Sequence, residues 1–285
     1  GRDRASFLHA LVSNDVKALA TGQMCGATLL DIHGKVQLVV LVWAMEERIL
    51  LITPPGTAAF ALEAFDKYLF SEKAYFTDVT ADTALAMLAG PQATAVAERI
   101  AGELADVDVR RAPGIGETGG AEMWIAVPAG AAARVWQAAL DAGARPVGAT
   151  ALESLRIEAG TPLFGRDVDD TVLLPEIPAA PLLSHSKGCY PGQEVVVRIR
   201  DRGHVNRMLR GLVIEGPAVP ERGAEVVVDG TAVGRVTSAT LSIGLGRAIA
   251  LGFVRRQHAE AGAAVGVRIG DAVAPARVSD LPFAG

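Results

Sequence analysis

Eight consecutive residues, Lys187-Gly-Cys-Tyr-Pro-Gly-Gln-Glu194, bring together an ammonium, a thiol, a phenol ring, an amide and a carboxylate. Gly188 and Gly192, with Pro191, specify a tight backbone path on which those side chains are presented. A core strand has no use for that mixture. Lys187 near Cys189 favours the thiolate where both are exposed, which makes Cys189 a candidate reactive thiol and Lys187 its companion. The competing reading is a structural cysteine in a polar turn, since free cysteines are usually buried. Tyr190, Gln193 and Glu194 are candidate ligand contacts on the same turn. Four arginines follow within ten residues, Arg198, Arg200, Arg202 and Arg207. Dense guanidinium groups suit an anionic ligand, and a solvated strand edge explains them equally well.

A second segment is Leu155-Arg-Ile-Glu-Ala-Gly160, with Glu158 at a helix end before a small-residue turn. A carboxylate held there can accept a pair of hydrogen bonds from an aminopyrimidine. Taken alone it is an ordinary surface glutamate. Gly114-Ile-Gly-Glu-Thr-Gly119 matches the dinucleotide fingerprint, but that motif works only between a strand and a helix. Here a strand is expected after it, so a flexible loop is the reading. Asp167, Asp169 and Asp170 lack calcium-loop spacing and read as a solvated loop. His185 and Cys189 are two ligands without the others a closed metal site requires, and His9, His33, His204 and His258 are scattered. No metal is expected.

The elements that must hold these residues fall into three regions. Residues 6–19 have helical spacing, and β-rich runs at 28–30 and 35–43 flank a hairpin turn, Asp31-Ile-His-Gly34. Strands are expected at 49–53, 74–79, 83–88 and 122–127, alternating with helices, as in a split βαβ, ferredoxin-like module over 49–147. A helix at 152–159 precedes a long Pro- and Asp-rich segment, 160–186. From 207 the signals are all β: 209–214, 225–228, 232–238, 248–254 and 265–269, which suits a small barrel.

Half of the 285 residues are hydrophobic and 21% are charged, so a folded chain with a large core is expected. The longest apolar run, Leu38 to Met45, is far short of the roughly 20 residues of a membrane span. A net charge of −5 argues against sequence-independent nucleic-acid binding. Two cysteines and no apolar leader point to a reducing cytoplasm.

Together the two motifs resemble the YgfZ family of folate-binding proteins. That family's K-G-C-[FY]-x-G-Q-E signature matches Lys187, Gly188, Cys189, Tyr190, Gly192, Gln193 and Glu194. Phe7-Leu8 with Ser13-Asn14-Asp15-Val16 resembles its first helix, and Leu29-Leu30-Asp31 with Gly34-Lys35 its first hairpin. Residues 155–160 resemble its I/L-E-A-G segment, and residues 233–239 and 249–252 its barrel. The resemblance implies an α+β, three-domain ring like that of the glycine-cleavage T-protein. Its parts would be a discontinuous folate-binding domain (1–48 plus 148–206), the ferredoxin-like module (49–147) and the barrel (207–285). It also implies tetrahydrofolate, or a one-carbon derivative, in a central channel. Glu158 would anchor the pterin there, and Arg198 and Arg207 would meet the glutamate tail. Iron–sulfur client proteins, including tRNA-modifying enzymes, would be the partners. T-proteins carry G-x-x-x-D-D on the hairpin strand, whereas Gly34-Lys-Val-Gln-Leu-Val-Val40 has Leu38 and Val39 in place of the carboxylates. Neither can move a proton, so aminomethyl transfer is disfavoured. A one-carbon transferase, and a scaffold that has lost its ligand, remain as alternatives. Trp43 and Tyr190 are the aromatic candidates to stack on the pterin.

Overall fold

The computed structural model describes residues 1–283. Helix α1 (Arg4–Leu11) buries Phe7, Leu8 and Leu11. It does so against β1 (Met24–Leu30) and β2 (Val36–Ala44), an antiparallel hairpin extended by β3 (Ile49–Ile52). The Asp31 carboxylate shapes the tip of the β1–β2 turn, accepting the N–H groups of His33 at 2.8 Å and Lys35 at 2.9 Å. Just beyond it, Leu29 faces Leu38 but Leu30 faces Val36, so Gln37 is an extra, bulged residue. A bulge shifts the phase of a strand by one residue. Leu38, Val40 and Val42 therefore face the core under α1, while Val36 joins a second core shared with the rest of the chain.

The middle region holds α2 (Ala58–Asp66), β4 (Thr83–Ala89), α3 (Ala93–Glu103), β5 (Arg110–Pro113), β6 (Glu122–Pro128) and α4 (Ala132–Asp141). Its sheet is antiparallel in the order β4-β6-β5, and α3 and α4 bury Ala97, Ile100, Val135 and Ala138 against Ile125 and Val127. Two local expectations change here. Strand β3, expected to open this module, pairs with β2 because a short turn closes the hairpin at Met45 and Arg48 before a distant partner is reached. Residues 74–79 form no strand. They are held by side chains instead, with Phe76 stacked on Phe65 at 5.6 Å and tilted against Phe7 at 5.8 Å.

Helix α5 (Ala149–Glu158) leads into a long segment with short 3-10 turns at Leu174–Glu176 and Ala180–Leu182, and then α6 (Gln193–Arg202). Arg198, Arg200 and Arg202 thus lie on a helix, and Arg207 begins a barrel strand. Gly192 opens that helix, Glu194 lies in its first turn and Arg200 and Arg202 in its last, the charge order that complements a helix dipole. The barrel follows: β7 (Arg207–Ile214), β8 (Glu225–Val228), β9 (Thr231–Ser242), β10 (Arg247–Arg255), β11 (Ala264–Ile269) and β12 (Ala272–Ser279). It closes in the order β10-β7-β12-β11-β8-β9. The sixth strand is unexpected from sequence because Pro275, which cannot donate to a ladder, lies inside it. The fold is α+β with a C-terminal barrel, as expected, and the barrel has six strands. The last two residues of the expected barrel module lie outside the described residues.

One buried network ties α5 to the barrel. The Asp167 carboxylate accepts from Arg156 at 2.7 Å, from the Ser238 hydroxyl at 2.7 Å and from the Leu163 N–H at 2.9 Å. Asp167 is fully buried, so it is not part of a solvated loop: charge at that depth persists only when paired and hydrogen-bonded.

Candidate functional site

The signature turn is riveted to the N-terminal hairpin and to α1. Gly192 adopts φ 76°, and a β-carbon on it would collide with the Asp31 carbonyl oxygen at the hairpin tip. Only glycine combines that dihedral with that approach. The Lys187 ammonium is buried and donates to the carbonyls of His9 and Val12 at the C-terminal end of α1, the latter at 2.5 Å. Desolvation pushes its pKa down to about 8. It also lies 4.8 Å above the Tyr190 ring, which is packed in the core with Ile157 and Leu182. Lys187 and Tyr190 therefore hold the turn in place. Cys189 is left exposed between them.

Beside the turn stands a residue that its sequence context does not single out. His9 Nε2 is 4.0 Å from the place a β-carbon on Gly188 would take, and His9 Nδ1 is 3.1 Å from the Asp15 carboxylate. Burial and the Lys187 charge hold its pKa below the ordinary value, so the imidazole is neutral at pH 7. A helical spacing of hydrophobic residues gives no hint that its one histidine will meet a turn 180 residues away.

Glu158 ends α5 against the barrel. Its Oε1 accepts from Ser154 at 2.9 Å and from Ser242 at 2.7 Å. Its Oε2 takes no hydrogen bond among the described residues, and faces Gly244. Next to it packs the Gly114–Gly119 loop, whose Glu117 carbonyl accepts from the Thr161 hydroxyl at 2.8 Å. This loop joins β5 to β6, so it has no helix N-terminus to hold a pyrophosphate. It is clamped rather than flexible: Glu122 accepts from the N–H groups of Gly116 and Thr118 and from the Thr118 hydroxyl. Gly114 is required because a β-carbon there would collide with that carboxylate. Burial, and then Glu122, raise the Glu117 pKa to about 7. Beneath the loop the Trp124 indole N–H is buried without a partner among the described residues.

Two family models match the chain: the GCVT N-terminal domain over residues 1–177 and the glycine cleavage T-protein C-terminal barrel domain over 207–284. The chain belongs to the glycine cleavage T-protein family. An aminomethyltransferase of Thermosynechococcus vestitus is 32% identical over 289 residues, covering 97% of this chain and 78% of its own length. A chloroplastic protein of Arabidopsis thaliana carrying a provisional transferase name is 30% identical over 297 residues, covering 99% of this chain and 68% of its own. The crystal structure of the glycine cleavage system aminomethyltransferase T from Bartonella henselae shares the fold, with TM-score 0.86 at 24% identity over 99% of this chain and 81% of that one.

Within this T-protein fold the remaining candidates are dispersed. Leu38 is fully buried under α1, and Val39 packs against the second core. Glu194 and Arg198 are exposed on α6, and Gln193 is half-buried at its start. Arg207 is committed elsewhere: it donates to Glu176 at 3.1 Å and stacks over Phe253 at 4.6 Å. Trp43 is in the core. Glu158 and Cys189 sit on different anchors, the barrel and α1, with Ile157, Leu182 and Tyr190 packed in one apolar cluster. Among the described residues, no helix is long and apolar enough to cross a membrane.

Proposed function

We propose that this chain is a tetrahydrofolate-binding T-protein relative of the YgfZ type, without aminomethyltransferase turnover, that assists iron–sulfur proteins in the cytosol. The observation that supports folate binding most is Glu158, with one carboxylate oxygen fixed by two serine hydroxyls and the other uncommitted. That acceptor fits the amino and ring N–H groups on the pyrimidine edge of a pterin. Bound folate would supply the one-carbon-carrying amines, and this chain's residues would orient it: Glu158 at the pyrimidine edge, with the Glu117 loop as wall. The lack of transferase turnover rests on β2, where the family's carboxylates are replaced by Leu38 and Val39, so no group there takes or gives a proton. The exposed Cys189 on a rigid turn is the contact point offered to protein partners, and Glu194 and Arg198 are exposed on the helix that follows.

A second reading, aminomethyl transfer, is favoured by the names of the relatives. Titration calorimetry with tetrahydrofolate and a turnover assay with an aminomethyl-lipoyl carrier separate the two. The expected outcome is one folate site, weakened at least about ten-fold in Glu158→Ala, and no product. Steady product formation would establish the transferase, and absence of heat with the unaltered chain would leave a scaffold that has lost its ligand.

A further inference from the structure

Outside the signature turn, a polar cleft of about 370 Å³ lies between the barrel and the segment after α5, lined by Arg166, Arg207, Arg222, Arg235, Asp169 and Thr171. The four guanidinium groups come from three parts of the barrel and the connecting segment, so nothing in their spacing along the chain announces that they meet. Two of them are already neutralised. Arg166 donates to Glu153 at 2.7 Å, and Arg207 to Glu176 at 3.1 Å. The other two are not. Arg222 reaches across the cleft to the backbone carbonyl of Arg166 at 2.7 Å, and the Arg235 side chain has neither a hydrogen bond nor a carboxylate partner among the described residues. Among those residues Asp169 is the solvent-facing carboxylate in the cleft, fixed by the Thr171 hydroxyl at 2.6 Å and N–H at 3.0 Å. Arg207 and Arg235 both act on it. The cleft thus holds a surplus of positive charge, with Arg222 held by a backbone carbonyl and the Arg235 side chain without a hydrogen bond among the described residues.

We infer that this cleft binds a phosphomonoester or free phosphate dianion, with Arg222 and Arg235 as its two charge partners. Guanidinium forks match phosphate oxygens in pairs, and a phosphate, at about −1.5 to −2 at neutral pH, offers the two arginines more charge and more acceptor oxygens than a carboxylate does, against the single opposing charge of Asp169. The cleft also has space beyond one phosphate group, above the Val172, Val236 and Phe253 side chains.

Calorimetry on the full chain at low salt, with inorganic phosphate and with glycerol 3-phosphate, tests this, using acetate as a monoanion control. Both phosphates are expected to compete for one site that acetate does not fill. Tighter binding of the ester identifies an organic phosphate as ligand, and equal or weaker binding identifies free phosphate. Arg222→Gln with Arg235→Gln weakens binding on the order of ten-fold or more. Asp169→Asn strengthens it several-fold by removing the opposing charge. All three residues are exposed, so melting temperatures of the variants serve as the folding check. No heat from either phosphate up to about 10 mM, which corresponds to a binding free energy weaker than about 3 kcal/mol, or variants that bind like the unaltered chain, would overturn the inference.

Discussion

Burial and the neighbouring Glu122 carboxylate raise the Glu117 pKa to about 7, so this side chain exchanges its proton inside the physiological range. The folded-state value lies above the ordinary 4.5. The contribution to stability is therefore complete below about pH 4.5 and is lost as pH rises through about 7. A ten-fold change in proton affinity is worth about 1.4 kcal/mol, so the loss is on the order of 3 kcal/mol before water entry and relaxation reduce it. Urea melts of the unaltered chain and Glu117→Gln are expected to agree at pH 4.5, with the variant the more stable at pH 8. Parallel curves would show that the carboxyl is effectively solvated. The same residue illustrates what a motif conceals. Gly114–Gly119 reads as a flexible loop from its glycines, and the half-buried carboxyl inside it follows only from the Glu122 clamp and the Thr161 contact.

At the scale of elements, the signature turn is a joint. Gly192 seats the start of α6 on the β1–β2 hairpin tip, and Lys187 closes the end of α1, so one short stretch fixes three elements at once. Its sequence chemistry was legible, since the glycines, the lysine and the tyrosine do specify the backbone path. Their division of labour was not. The cation and the ring serve the scaffold, and only the thiol, the carboxylate and the outer arginines of α6 reach the surface. Gly192→Ala is expected to destabilise the chain by about 1–3 kcal/mol, through a strained positive φ and the clash with Asp31. Cys189→Ser, at an exposed position, should leave the melting temperature within a degree or two. Thermal melts of the two variants check both, and a large loss with Cys189→Ser would make the thiol a structural group.

Across the whole molecule, Arg156, Asp167 and Ser238 connect α5, the following segment and the barrel in a network shielded from water. Removing the Asp167 carboxylate takes away the fully buried partner of Arg156 and leaves it only the partly exposed Glu153 carboxylate, with the Ser238 hydroxyl and Leu163 N–H left without their acceptor. Asp167→Ala is therefore expected to destabilise the chain by about 3–5 kcal/mol in urea melts. Arg156→Met combined with Asp167→Leu should recover most of that, because apolar groups of similar volume often replace a buried pair without loss. A double variant no better than the single would mean that the network's role is geometric and not electrostatic.

Local rules determined much of this protein. Asp31 and Gly34 mark a hairpin, alternation in 207–269 marks barrel strands, and the Lys187–Glu194 octapeptide marks a turn with mixed chemistry. These are legible because each depends on dihedral preference or hydrophobic period within a few residues. Tertiary structure alone decided which charges are spent inside the fold and which are free. Arg207, Asp167 and Lys187 look like surface groups in sequence and are held by Glu176, Arg156 and the end of α1, whereas Arg222 and Arg235 are left without carboxylate partners among the described residues. Whether a charge is paired depends on what approaches it from elsewhere in the chain, and neither residue type nor spacing encodes that approach.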